Sequence, residues 1–160
     1  KSKIQVINKK ILRENINNVV FSGLEKNTLD FFSLDIDGND YWVLKELNTE
    51  KINVLCCEYN HYLGNNVKKT IPYNPDHQWE NNGCFGASLN AISELLDKKG
   101  FYLIGVESSG TNAFFIKKNL AKNFEILSPE KSWKSVDRNN SQEQIEIIKN
   151  SVKNFNFKEL

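Results

Sequence analysis

At 160 residues, 39% of them hydrophobic and 26% charged, the chain has the size and composition of one folded domain or a large part of one. A net charge of +1 provides no basic footprint for nucleic acid or an anionic membrane, so neither is expected as a partner. No apolar run approaches the ~20 residues needed to cross a bilayer. No signal-peptide pattern opens the chain either, and three cysteines that read as reduced residues lead to the expectation of a cytoplasmic protein.

The sequence contains no Met and opens within a helix-like pattern, which reads as part of a longer chain. Its 23 Asn, alongside many Lys and Ile, read as a compositional bias, so no single Asn is taken as evidence of a site. Ile4, Ile7 and Ile11 recur at helical spacing and predict an amphipathic helix over 3–17. Val19-Val20-Phe21 is a brief apolar patch ahead of a Ser22-Gly23 break.

Residues 30–36 then form a short, nearly continuous apolar run, the pattern of a strand buried on both faces. The run ends in Asp35-Ile36-Asp37-Gly38-Asn39-Asp40, where three carboxylates and a glycine share six positions. Gly38 permits a tight turn, and Asn39 or Asp40 can cap a helix over about 40–48 carrying Tyr41, Trp42, Leu44 and Leu47. A second buried-strand run, 53–59, also ends near a carboxylate, Glu58. Cys56 and Cys57 lie inside it and, with Cys84, are expected to be reduced core residues.

The 60–87 stretch is long and polar, yet it carries His61, Tyr62, Tyr73, His77 and Trp79, which predicts an ordered lid or substrate loop. Leu89, Ile92, Leu95 and Leu96 predict a helix closed by Lys98-Lys99-Gly100. Phe101–Val106 and Asn112–Lys117 predict two strands joined by residues 107–111. Ser141 and Gln144 form a capping-box signal for a terminal helix through Ile145, Ile148, Val152 and Phe155. Alternating strands and helices argue for parallel strands with crossover helices, and the closing pair for one antiparallel strand at the end.

Acids at the carboxyl ends of strands mark where an open α/β sheet collects ligands. If the two strands are neighbours, Asp37 and Asp40 come within reach of Glu58. Such crowding raises carboxylate pKa values, as suits a base, or lets the group share a divalent cation. Tyr59, Asn60 and His61 would then line an acceptor pocket. The bland reading gives Asp40 only a cap to make and Asp35 only backbone donors to satisfy. An EF-hand count from Asp35 through Asp37 and Asn39 to Glu46 fails at Asp40, which stands where glycine is needed. His61 and His77 have no ligand spacing for a transition metal.

Asp35-x-Asp37-Gly38 resembles the first motif of the haloacid-dehalogenase phosphotransferases. That likeness implies Asp35 as nucleophile and Asp37 as general acid/base, although the family's usual continuation is absent. A broader resemblance runs over residues 11–120. Ser33-Leu34-Asp35-Ile36-Asp37-Gly38, Cys57-Glu58-Tyr59-Asn60 and Asn112-Ala113-Phe114-Phe115-Ile116 resemble blocks of the FkbM-like class I methyltransferases. In particular they resemble a branch with Ser-x-Asp-x-Asp-Gly-Asn-Asp-Tyr. Pro72-Tyr73-Asn74-Pro75, Gly86-Ala87-Ser88-Leu89 and Gly110-Thr111-Asn112-Ala113 look like that branch too. Ser33 and Asp37 stand where the wider family has Lys and Glu.

The resemblance implies an α/β, Rossmann-like methyltransferase sheet, mostly parallel with a final antiparallel strand and incomplete at its N-terminus. Residues 1–120 would be the carboxyl half of that domain, and 121–160 a helical extension. It also implies S-adenosylmethionine as cofactor, a small or sugar-like acceptor as substrate, Asp35 toward the cofactor, and Asp37, Asp40 and Glu58 as catalytic acids. The glycine-rich cofactor turn has no counterpart here, so the fragment alone is expected to be inactive. A non-catalytic binding domain on the same scaffold is the other expectation.

Overall fold

A computed structural model describes residues 4–22, 28–135 and 140–160. Two strands, β1 (Leu29–Leu34) and β2 (Ile52–Glu58), lie parallel, with helix α2 (Asp40–Glu46) in the crossover between them. A short helix, α1 (Ile16–Phe21), precedes them. A two-residue strand, β3 (Lys69–Thr70), follows, then helix α3 (Leu89–Lys98) and the hairpin of β4 (Phe101–Val106) and β5 (Asn112–Lys117). Helices α4 (Pro129–Ser132) and α5 (Gln142–Asn154) and a closing strand, β6 (Lys158–Glu159), complete the order. The result is an α/β fold on a mixed four-stranded sheet, β1-β2-β5-β4, with a small β3-β6 sheet beside it.

Strand β5 runs antiparallel to both of its neighbours, β2 and β4. Three strands therefore share one direction and the last in sequence is reversed. Strand β2 is paired on both sides, and its residues from Leu55 to Glu58 are all buried. Helix α2 buries Tyr41, Trp42, Val43 and Leu44 in succession, because it has sheet on one side and the 70s loop on the other. Trp42 Nε1 donates to Ile71 O at 2.8 Å and ties that loop to the helix. Helix α3 begins where Ser88 accepts from Ala91 N and ends at Gly100, whose φ of +86° suits glycine.

Two expectations are corrected. The helix over 3–17 does not form: among its described residues, 4–12 are not helical and the helix begins only at Ile16. Ile4 and Ile7 are 89% and 49% exposed, so the periodicity has no surface to pack against. Asn15 instead closes a turn, its Oδ1 accepting from Leu12 N and its Nδ2 donating to Lys10 O. Lys3 and Gly23 lie outside the described residues.

Strand β1 is not buried on both faces. It is the edge of the sheet, Phe31 is 53% exposed, and only Leu34 is fully buried. The 60–87 stretch is ordered and the three cysteines are free and buried, as expected. The described parts of segment 121–160 lie against this body: Leu127 and Trp133 pack against the core, and β6 pairs with β3. Among the described residues no helix is long and apolar enough to cross a membrane.

Candidate functional site

The parallel register builds the site. Leu34 pairs with Cys57, so the next residues along, Asp35 and Glu58, emerge side by side at the carboxyl ends of β1 and β2. Asp37 follows with a φ of +51°, a left-handed position that a short polar side chain tolerates. One carboxylate oxygen from each of Asp35, Asp37 and Glu58 lies within 4.8 Å of the others. Asp35 and Asp37 are exposed and Glu58 is buried. Asp35, Glu58 and His61 each have a further partner, so these groups are not idle. Three hard oxygen donors suit magnesium or calcium better than zinc. Among the described residues no histidine joins this convergent set.

Behind the cluster, the turn is fastened from several sides. Asp40 is 1% exposed, and its carboxylate accepts from Ile36 N at 3.1 Å and Gly38 N at 2.9 Å, bracketing Asp37. Asn39 and Asn74 form a two-way link, Asn39 Nδ2 donating to Asn74 O and Asn74 N donating to Asn39 Oδ1. Asn39 is thus committed to a loop contact rather than free for a cation. Gly86 N donates to Gly38 O, and the His77 ring lies directly against the Gly38 α-carbon.

Burial pushes the Asp40 carboxyl up to about 6; the two N–H donors pull it down, and Asp35 adds a small upward push. The cause is therefore desolvation more than the crowding anticipated from sequence. Burial likewise raises the Cys57 thiol and the Tyr59 phenol.

In front of the cluster is a cavity of about 150 Å³ whose wall includes Asp37, Glu58, His61, Tyr62, Trp79 and Ile148. The expected site residues thus divide. Asp37, Glu58 and His61 face the cavity, and Asp35 completes the carboxylate group. Asp40 lies behind the turn. Tyr59 is fully buried, its hydroxyl donating to Lys134 O at 3.3 Å. Asn60 is fully buried as well: Nδ2 donates to Gly83 O and Phe85 O, and Oδ1 accepts from Tyr62 N. It lies behind the wall and holds Gly83 and Phe85, which line the cavity.

Sequence reasoning did not anticipate Ile148 or Asn81 at this cavity. Asn81 was legible only as part of the Asn-Asn-Gly turn, where its φ is +55°. Ile148 was legible only as one position on a terminal helix. Comparison with protein-family profiles, curated proteins and solved structures finds no match to this chain.

Proposed function

We propose that the chain carries the acceptor side of an S-adenosylmethionine-dependent methyltransferase of the FkbM-like kind, on a Rossmann-like sheet. The observation that carries this reading is the pairing of the acid-bearing ends of β1 and β2 at one cavity. The reversed last strand beside β2 supports it, because the resemblance implies a sheet of mostly one direction with a final antiparallel strand.

The cofactor itself does not fit these residues. A cavity of about 150 Å³ is smaller than the roughly 300–1,000 Å³ typical of sites for drug-sized ligands. Its polar wall suits the reacting end of an acceptor. The reading therefore concerns what this chain's own groups do to that acceptor.

Methyl transfer depends chiefly on aligning the acceptor. The cavity confines its hydroxyl or amine between Asp37 and Glu58, with His61, Tyr62 and Trp79 also in the wall. Glu58, held on the buried central strand, is placed to take the proton, and Asp37 to orient the group that loses it. Asp40 holds the turn and Asn60 the wall. Methyl transfer from S-adenosylmethionine, assayed with the complete gene product, is expected to fall by about 10²–10⁴-fold in Asp37→Asn or Glu58→Gln with cofactor affinity unchanged. Full activity in both variants overturns the assignment.

The convergence of Asp35, Asp37 and Glu58 within 4.8 Å favours one second reading, a divalent-cation-dependent phosphohydrolase with Asp35 as nucleophile. It requires magnesium-dependent hydrolysis of p-nitrophenyl phosphate that Asp35→Asn abolishes. Hydrolysis that is absent, or unchanged in that variant, excludes it.

A further inference from the structure

A second cavity, of about 480 Å³, opens between α3, the first half of β4 and segment 126–130. It shares no wall residue with the carboxylate cavity. Strand β4 points the same way as β1 and β2, so its first residues lie at the opposite end of the sheet from Asp37 and Glu58. The volume is within the roughly 300–1,000 Å³ range of small-molecule sites.

Its floor is apolar. Phe101 and Leu103 are 1% and 4% exposed, and Leu127 closes the far side, held there because its N–H donates to Leu103 O at 3.0 Å. Its polar wall is one face of α3. Asn90, 7% exposed, donates from Nδ2 to Glu130 Oε1 at 3.0 Å. A carboxylate takes only donors, so that bond fixes which way the amide faces. The Asn90 amide oxygen is then left buried without a partner, and so is Ser93 Oγ, one turn further along the helix. Buried polar atoms are seldom left this way in folded proteins. Two of them on one helix face of a cavity this large mark a place for the donors of a ligand.

Charge narrows the class. Among the described residues, Lys68 is the single cation in the wall, against Glu94, Asp97 and Glu130. Lys68 is already paired with Glu94, which Lys98 also contacts. These bonds hold the Glu94 carboxyl down to about 2, and the Ser128 hydroxyl lowers that of Glu130. Both are anionic at neutral pH; Lys68 and Lys98 match Glu94 and Lys118 matches Asp97, so the charge left over the apolar floor is that of Glu130.

We propose that this cavity binds a small organic amine, its apolar or aromatic body on Phe101, Leu103 and Leu127 and its ammonium donating to Asn90 Oδ1 and Ser93 Oγ. Glu130 supplies the counter-charge beside Asn90. The site is separate from the methyltransferase reading and stands whether or not that reading holds.

The test is an NMR titration of the ¹⁵N-labelled chain with 2-phenylethylamine, phenylacetate and 2-phenylethanol. The amine is expected to give saturable shifts at Asn90, Ser93, Phe101–Leu103 and Leu127, and to bind about tenfold or more tightly than the acid or the alcohol. Ser93 Oγ makes no hydrogen bond in the fold, so Ser93→Ala leaves the fold intact and is expected to weaken the amine by roughly three- to tenfold. Ser93→Trp, which fills the cavity, is expected to abolish binding. The proposal is overturned by unsaturated or absent shifts up to about 10 mM amine, by shifts elsewhere, by equal binding of the three probes, or by unchanged binding in Ser93→Ala.

Discussion

Replacing Asp40 with asparagine tests whether this acid is a fastening of the turn or a reactive group. Two influences oppose each other at its carboxyl. Burial disfavours the anion, while hydrogen bonds from Ile36 N and Gly38 N favour it. Burial prevails, and the folded protein keeps a proton that the unfolded chain gives up between its ordinary 3.8 and about 6. Where the native state binds more protons, stability falls as pH rises. At about 1.4 kcal/mol per pH unit, the interval from 3.8 to about 6 amounts to a loss of roughly 3 kcal/mol, complete above about pH 6.

The amide in Asp40→Asn does not ionise, but its single oxygen replaces one of two bonds, and the orphaned N–H costs about 1–3 kcal/mol at every pH. Urea unfolding of both proteins, from about pH 4 to about pH 7, gives the difference in stability. The advantage of the native chain over Asp40→Asn is expected to shrink by roughly 2.5 kcal/mol across that range, the first part of the loss falling below pH 4. An advantage that stays constant, or grows with pH, shows that the N–H donors win and refutes the reasoning.

Three further outcomes follow from particular contacts. A Cβ on Gly38 would stand 2.2 Å from His77 Cδ2, so Gly38→Ala is expected to lose about 1–3 kcal/mol in urea unfolding. His77→Ala in the same chain should restore most of that loss, and no rescue would place the strain elsewhere. Trp42→Phe removes the 2.8 Å bond to Ile71 O and is expected to cost roughly 1–3 kcal/mol in the same assay. Ser141→Ala breaks the capping box and should lower the stability of α5 by about 1 kcal/mol. Hydrogen exchange should then quicken in α5 and not in β2; uniform acceleration would show that α5 does not open on its own.

Much of the sheet was readable because its punctuation is local. Lys98, Lys99 and Gly100 close α3, and the hairpin strands keep the bounds their sequence predicts. The approach of Asp37 to Glu58 was readable too, since a parallel register carries the acid-bearing ends of the two apolar runs to the same end of the sheet. The false helix at the start had the right period and no partner surface, which spacing alone does not reveal. The apolar run of β1 looked doubly buried because its sequence does not show that it is an edge.

The fastening bonds of Asp40 and Asn60 were not legible in the sequence, because their partners are backbone groups. Those of Asn60 lie more than twenty residues away, and those of Asp40 depend on how the turn closes. Strands of two residues, β3 and β6, carry no period to read. The amine cavity was invisible for a similar reason: Asn90 and Ser93 look like ordinary helix positions until segment 126–130 covers them.

Calorimetric titration of S-adenosylmethionine into the complete gene product tests the methyltransferase reading most directly. The account expects saturable one-to-one binding that Asp37→Asn and Glu58→Gln leave unchanged, since both acids serve the acceptor. No heat of binding to the folded protein would contradict it.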